Sequence, residues 1–176
     1  MKKIMFNDRY NLTQLVLQRY KTRTVRIENL EKNSPYETFI PHYPAGEIVA
    51  IAQSYRDVFG PDERFLLELS EKEKKGWNNK MFVKACHMPR HIMIHSVDIM
   101  PVQVYATNEQ NCLEEGIMGV PDEIKDLLPN YWHYDGENAK YFYTPQQAFE
   151  SLFDSIVGKG VFDRNPLVVT YKFELL

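Results

Sequence analysis

The chain has 176 residues, 44% of them hydrophobic and 13% aromatic, and a net charge of −3. That is enough apolar material for one domain with a real core, and it excludes disorder of the low-hydrophobicity kind. The slightly acidic balance excludes a protein that coats nucleic acid through an overall basic surplus, so any such contact must come from a local patch.

No stretch reaches the ~18 apolar residues of a membrane span, and the charged start MKKIMFNDRY is followed by no signal-like apolar run. The expectation is a soluble, cytoplasmic protein. Cys86 and Cys112 form neither a CxxC pair nor a metal-ligand spacing, and both are expected to be reduced packing residues.

In chain order, KIMF predicts a short strand. Residues 11–19 place Leu12, Leu15 and Val16 at helical spacing. TRTVRI is rich in β-branched residues and predicts a strand. Residues 29–46, with three prolines and Gly46, predict an irregular connection. EIVAIAQSY predicts a buried strand. A short helix is expected to open near Pro61 and Asp62, with EKEKK as its solvated face. KMFVKAC predicts another strand, and HIMIHSVDIMPVQVY a long β-rich segment broken near Pro101.

Asn108 to Glu115 predicts a helix stopped by Gly116. PDEIKDLLP predicts a short amphipathic helix between prolines, and YWHYDGENAKYFY an aromatic loop turning at Asp135-Gly136. TPQQAFESLFDSIVGKG carries the clearest helix signal, with Thr144 as N-cap, Pro145 at N1, Gln147 at the capping-box position and Gly158 at the end. PLVVTYKFEL alternates in a two-residue period, as a half-buried strand does. Strands separated by unequal helices are not a βαβ repeat; they predict an α+β fold with a twisted or closed sheet.

No Walker loop, GxGxxG, HExxH, GxSxG or zinc cluster occurs, and neither metal nor cofactor is expected. His87 and His91 are four apart, but the intervening Met-Pro-Arg forbids one helix through both. YKTRTVR, residues 20–26, concentrates Lys21, Arg23 and Arg26. On a strand Thr22, Thr24 and Arg26 share one face, and Lys21 meets Thr24 only if it lies in the turn before the strand. By itself such a stretch is read as a solvated strand edge. In CHMPRHI, Arg90 follows a proline break and presents a guanidinium fork suited to a phosphate, a carboxylate or a structural ion pair. In CLEEGI, Glu114 and Glu115 close a helix where the dipole disfavours negative charge.

In order, RYKTRTVRI, YPAGEIVAIAQSY, CHMPRHIMIHSVDIMPVQV, CLEEGI and FESLFDSIVGKGVFDRNPLVVTYKFELL resemble segments of the ASCH-domain family, within the PUA-like superfamily, and most closely its longer bacterial and phage members. The resemblance spans most of the chain, as a single domain over residues 1–176. Residues 56–79 and 121–143 match poorly and look like variable insertions. It implies a small PUA-like β-barrel with helices packed around it and a cleft facing RNA, a nucleoside or a nucleotide. Some short members of the family are amidohydrolases that deacetylate N4-acetylcytidine. The positions here that match their active site are Lys21, Thr24 and Glu115, as base, nucleophile and acid. Arg23, Arg26 and Arg90 are the expected nucleic-acid or nucleotide contacts. Where longer relatives commonly carry R-E-T-W, this chain has Ala52, Gln53, Ser54 and Tyr55, and Phe162 stands where the family's usual Trp lies in the C-terminal turn. Three readings follow: a nucleotide- or RNA-binding module, an amidohydrolase, or a partner-binding protein with an empty cleft.

Overall fold

The computed structural model describes residues 1–27, 40–60 and 62–176. Its main sheet has five strands in the order β1-β3-β4-β8-β2. These are β1 (Lys3–Ile4), β2 (Arg23–Arg26), β3 (Ile48–Ile51), β4 (His91–Pro101) and β8 (Leu167–Leu175). β1 runs parallel to β3 and the other pairs are antiparallel. A second sheet holds β5 (Met118–Gly119), β6 (Tyr131–Asp135) and β7 (Asn138–Phe142). With helices packed on the main sheet, this is the expected α+β class. The described residues close no barrel: β1 and β2 are free edges in the strand order. No helix among the described residues is long and apolar enough to cross a membrane.

The elements that carry strong local signals form as their residues dictate. α1 (Leu12–Leu17) buries Leu12, Leu15 and Val16. α6 (Pro145–Val157) starts at Thr144, whose hydroxyl accepts from the Gln147 amide at 3.2 Å, and ends at Gly158. α5 (Glu109–Glu114) is capped by the Asn108 side chain and stops at Gly116, whose φ is +97°. β8 departs from its half-buried pattern. Residues 168–171 are all buried, in an inner strand that lies between β4 and β2.

Several expectations fail for identifiable reasons. The β3 strand ends at Ile51, because Ser54 and Asp57 form a reciprocal capping box that opens α2 (Tyr55–Phe59). KMFVKAC is not a strand but two 3-10 turns, Lys80–Phe82 and Ala85–His87. The Lys3 ammonium donates to the carbonyls of Met81 and Val83 at 2.8 and 2.7 Å, which satisfies them outside any sheet. Pro101 ends β4, and VQVYA continues as the helix α4 (Val102–Ala106). PDEIKDLLP forms only the 3-10 turn Asp122–Ile124. The aromatic segment expected as a loop is the β6–β7 hairpin, turning at Gly136 with φ +67°. Cys112 is buried as expected, whereas Cys86 is exposed rather than a packing residue of the core. Residues 29–39 of the expected irregular connection lie outside the described residues, as does Pro61. Residues 40–46 carry no helix or strand.

One core fills the space between α1, α6 and the concave face of the main sheet. A smaller one lies beside β3, where Ala50, Ala52 and Tyr55 meet Leu69, Trp77, Val83 and Met88. Residues 56–79 supply Leu69 and Trp77 to that second core; α3 (Glu71–Lys74) within them buries nothing, as a solvated EKEKK face requires. The hairpin is fastened to α6 through His133, which is 1% exposed. Its Nδ1 lies 2.8 Å from the Tyr134 carbonyl, so it carries the proton, and Nε2 accepts from the Ser151 hydroxyl at 3.2 Å. The ring stacks on Phe142 with centroids 5.3 Å apart.

Burial pushes the His133 pKa below its ordinary 6.5, so the folded state holds the neutral ring. Below that pH the unfolded chain binds a proton that the folded chain refuses. His133 therefore contributes full stability above about pH 6.5 and loses it as pH falls through the folded-state value. Urea midpoints of the wild type should fall as pH is lowered from roughly 7 to 5, and His133→Asn, which keeps a donor on the Nδ1 side, should flatten that fall.

Candidate active site

The site is built where the chain turns from α1 into β2. Arg19 takes a left-handed φ of +65°, and the amides of Tyr20 and Lys21 both donate to the Leu15 carbonyl. The reversal puts Lys21 in the turn rather than on the strand, the placement that convergence with Thr24 requires. Thr22 then donates its amide to the Glu114 carbonyl at 2.9 Å and accepts from the Phe173 amide at 2.9 Å. One residue thus joins the end of α5 to β8. Gly116 follows immediately: a Cβ there would sit 3.0 Å from Leu15 Cδ1, and its left-handed φ excludes most side chains.

This geometry matches two cations on the turn and strand to two carboxylates at the helix end. Lys21 Nζ lies 2.5 Å from Glu115 Oε2 and donates to the Glu115 carbonyl oxygen at 2.9 Å. Arg23 Nε donates to Glu114 Oε2. The charge that the helix end disfavours is offset by these two cations. The inner pair is dry: Lys21 is 1% exposed and Glu115 5%. The outer pair reaches solvent. On the far side of Glu115, the hydroxyl of Tyr105 from α4 donates to Oε1 at 2.9 Å.

Electrostatics follow from burial. Loss of solvation pushes the Lys21 ammonium below its ordinary pKa, opposed by the Glu115 carboxylate and assisted by the nearby Arg26 cation. Burial, reinforced by the Glu115 charge, pushes the Tyr105 phenol up, so it stays protonated and acts as a donor. The Cys112 thiol is pushed up to about 12, first by burial and then by Glu115, and so is no nucleophile at neutral pH. Burial raises the Glu114 carboxyl, but hydrogen bonds from Gln110 and Arg23 outweigh it and hold Glu114 below its ordinary value.

The pair forms the polar end of a cavity of about 560 Å³. Lys21, Thr24, Arg26 and Glu115 all line it. Its apolar wall is a stripe of α6, Phe149, Leu152, Phe153, Ile156 and Val157, and the residues after β1 close another side. The volume lies within the range of small-molecule sites, about 300–1,000 Å³. Arg26 bridges the gap between the two sheet edges, with Nη2 donating to the Met5 carbonyl at 2.8 Å. Its Nε is buried with no hydrogen-bond partner among the described residues.

Four of the six sequence-predicted residues therefore share one cavity. Arg23 is committed to Glu114, and Arg90 is exposed outside the cavity lining, where its carbonyl accepts the Ile51 amide at 2.9 Å. Among the described residues no cluster of His, Cys, Asp or Glu is arranged to hold a metal ion. His87 instead shares a hydrogen bond with the Tyr55 hydroxyl. Sequence reading missed Tyr105, His42 and Tyr43. A signal for Tyr105 existed: Val102, Tyr105 and Ala106 follow a proline at helical spacing, and all three are buried.

Breaking a buried ion pair from one side leaves an unpaired charge and costs about 3–5 kcal/mol, more than deleting both partners together. Glu115→Ala should lose stability of this order in urea denaturation, and Lys21→Met combined with Glu115→Leu should recover most of it. Additive losses in the double variant would show that the pair is not coupled.

No protein-family model matches the chain. No curated protein matches it either. Among solved structures, the chain is similar to protein EF3133 from Enterococcus faecalis, described under the family model DUF984, at 15% identity. The likeness covers 100% of this chain and 80% of that one at a TM-score of 0.43, too distant to establish a shared fold.

Proposed function

We propose that the protein is an ASCH-type domain whose cavity takes a nucleoside-sized ligand, and that it hydrolyses an amide on that ligand, of the N4-acetylcytidine kind. The observation that carries this reading is the dry Lys21–Glu115 pair opening onto a cavity that Thr24 also lines. A buried ion pair is a poor source of stability, and strongly perturbed titratable groups in a cavity mark candidate sites.

The chemistry needs no group beyond these three. Moving the shared proton from Lys21 Nζ to Glu115 Oε2 creates a neutral amine and a carboxylic acid together, with no change in net charge. Burial favours that neutral form. Lys21 then removes the Thr24 hydroxyl proton as Oγ1 bonds to the acyl carbon. As the C–N bond breaks, Glu115 delivers its proton to the departing exocyclic amine. The acetyl ester left on Thr24 is cleaved by water, which releases acetate and restores the hydroxyl. Arg26 supplies positive charge to the cavity wall for the oxyanion or for a phosphate on the ligand.

The PUA-like reading draws on the curl of the sheet. Tyr43 donates its hydroxyl to the Lys3 carbonyl beside β1, while its ring meets Tyr171 of β8 with centroids 5.5 Å apart. Together with the Arg26–Met5 bond, these contacts link the two edges of the open sheet beside the cavity, which supports the PUA-like reading. A strand of RNA is a weaker fit, because Arg23 and Arg90 do not join Arg26 at the cavity.

Incubation with N4-acetylcytidine should yield cytidine and acetate. Thr24→Ala, which leaves the ion pair in place, and Glu115→Gln should each reduce kcat/KM by about 10²–10⁴-fold. A folded, pure protein giving no turnover sinks the hydrolytic reading. Tight binding of short RNA with a steep loss of affinity in salt would favour the strand-binding reading instead.

A further inference from the structure

Glu115 has two carboxyl oxygens, and each has a different partner. Oε2 faces Lys21 Nζ, and Oε1 accepts the hydroxyl of Tyr105. Tyr105 is 0% exposed and is not part of the cavity lining, so it touches no ligand held there. Its hydroxyl also lies 3.3 Å from the Asn111 carbonyl, but one phenolic proton cannot serve both. The shorter contact is to the carboxylate, and hydrogen bonds to ionised acceptors are the stronger kind. The ring is held independently of the hydroxyl, with its centroid 5.5 Å from that of Phe149.

We infer that Tyr105 is a positioning residue of this site, which occupies Oε1 of Glu115 and so reserves Oε2 for the proton exchanged with Lys21. Its kinetic consequence rests on the hydrolytic reading above, but the positioning itself does not. With Oε1 accepting the Tyr105 proton, the acid proton of Glu115 favours the oxygen that faces Lys21. A freely rotating carboxyl would place that proton on either oxygen, and half of those arrangements break the contact with the amine. The Tyr105 bond also stabilises the carboxylate, which limits how far the shared proton moves from Lys21. The other charged or titratable neighbours are Arg26 toward Lys21, Arg23, Glu109 and Cys112 around the Tyr105–Glu115 contact, and Glu114 one residue before Glu115. None of them donates to Oε1.

Tyr105→Phe in the full chain keeps the ring and removes only the hydroxyl. Without it the carboxylate is more basic. The shared proton should move toward Glu115, and the ¹⁵N signal of Lys21 Nζ should move toward that of a neutral amine. The pair should also take up its second proton at higher pH, so the acid limb of kcat/KM should rise by about one to two pH units, the size of one lost hydrogen bond to a charged group. A variant that is merely less stable, with the wild-type ¹⁵N shift and pH profile, overturns the proposal. If the wild type shows no turnover, the hydrolytic reading fails alone, and the Lys21 ¹⁵N shift still decides the role of Tyr105. If Tyr105→Phe does not fold, 3-fluorotyrosine placed at position 105, a stronger donor of similar size, should move the ¹⁵N signal the opposite way. An unmoved signal there also overturns the proposal.

Discussion

The contact on which this architecture turns is the ion pair between Lys21 and Glu115. Two charges removed from water are costly unless geometry repays them. Here almost every neighbouring feature contributes to that geometry. The left-handed Arg19 reverses the chain, Gly116 leaves room for Leu15 of α1, Thr22 ties the turn to both α5 and β8, and Tyr105 takes the remaining carboxyl oxygen. α5 ends where it does so that its last carboxylates meet cations instead of solvent. The same contact sets the polar end of the cavity, while α6 supplies the apolar wall opposite. The pair is therefore a constraint on the fold as well as the centre of the proposed site.

The sequence revealed this centre better than it revealed its surroundings. Lys21, Thr24 and Glu115 stand out through the family resemblance, and residue spacing adds only the condition that Lys21 meets Thr24 if it lies in the turn before the strand. Glu115 could be placed at a helix end because Gly116 follows. α6 was legible from Thr144, Pro145 and Gly158, where local chemistry and tertiary packing agree. Misreadings arose where a distant partner overrides local preference. KMFVKAC has strand-like residues, but Lys3, some eighty positions earlier, satisfies its carbonyls and frees it from a ladder. The hairpin was missed although Asp135-Gly136 was read as a turn, because its aromatic flanks carry too little alternation to declare two strands. Tyr105 was hidden by a proline that ends one element and opens the next.

The bond from Arg26 to Met5 and the contacts of Tyr43 with Lys3 and Tyr171 require the main sheet to curl, so that its edges face a common space. A flat five-stranded sheet would leave one face of an inner strand to be covered by something else. Here curvature brings Tyr43, Arg26 and the residues after β1 across that face. The bridge between the edges is made by side chains, so the width of the cavity depends on a guanidinium and a phenol rather than on a rigid ladder. Residues 56–79 pack instead into the small core beside β3, through Leu69 and Trp77.

The pairing of β2 with β8 has a bearing on the order in which the molecule assembles. Arg23, Thr24, Val25 and Arg26 align with Lys172, Tyr171, Thr170 and Val169, and no other strand pairs with β2 among the described residues. During synthesis at about 5–20 residues per second, the segment bearing Lys21 waits several seconds for its strand partner to be made. In that interval both the lysine and the glutamate 94 positions later stay hydrated. Long-range closures of this kind come late and slow folding. The chain thus carries a natural delay: the turn that bears Lys21 gains its strand partner only once β8 has been made, and a nascent fragment without β8 lacks that cover.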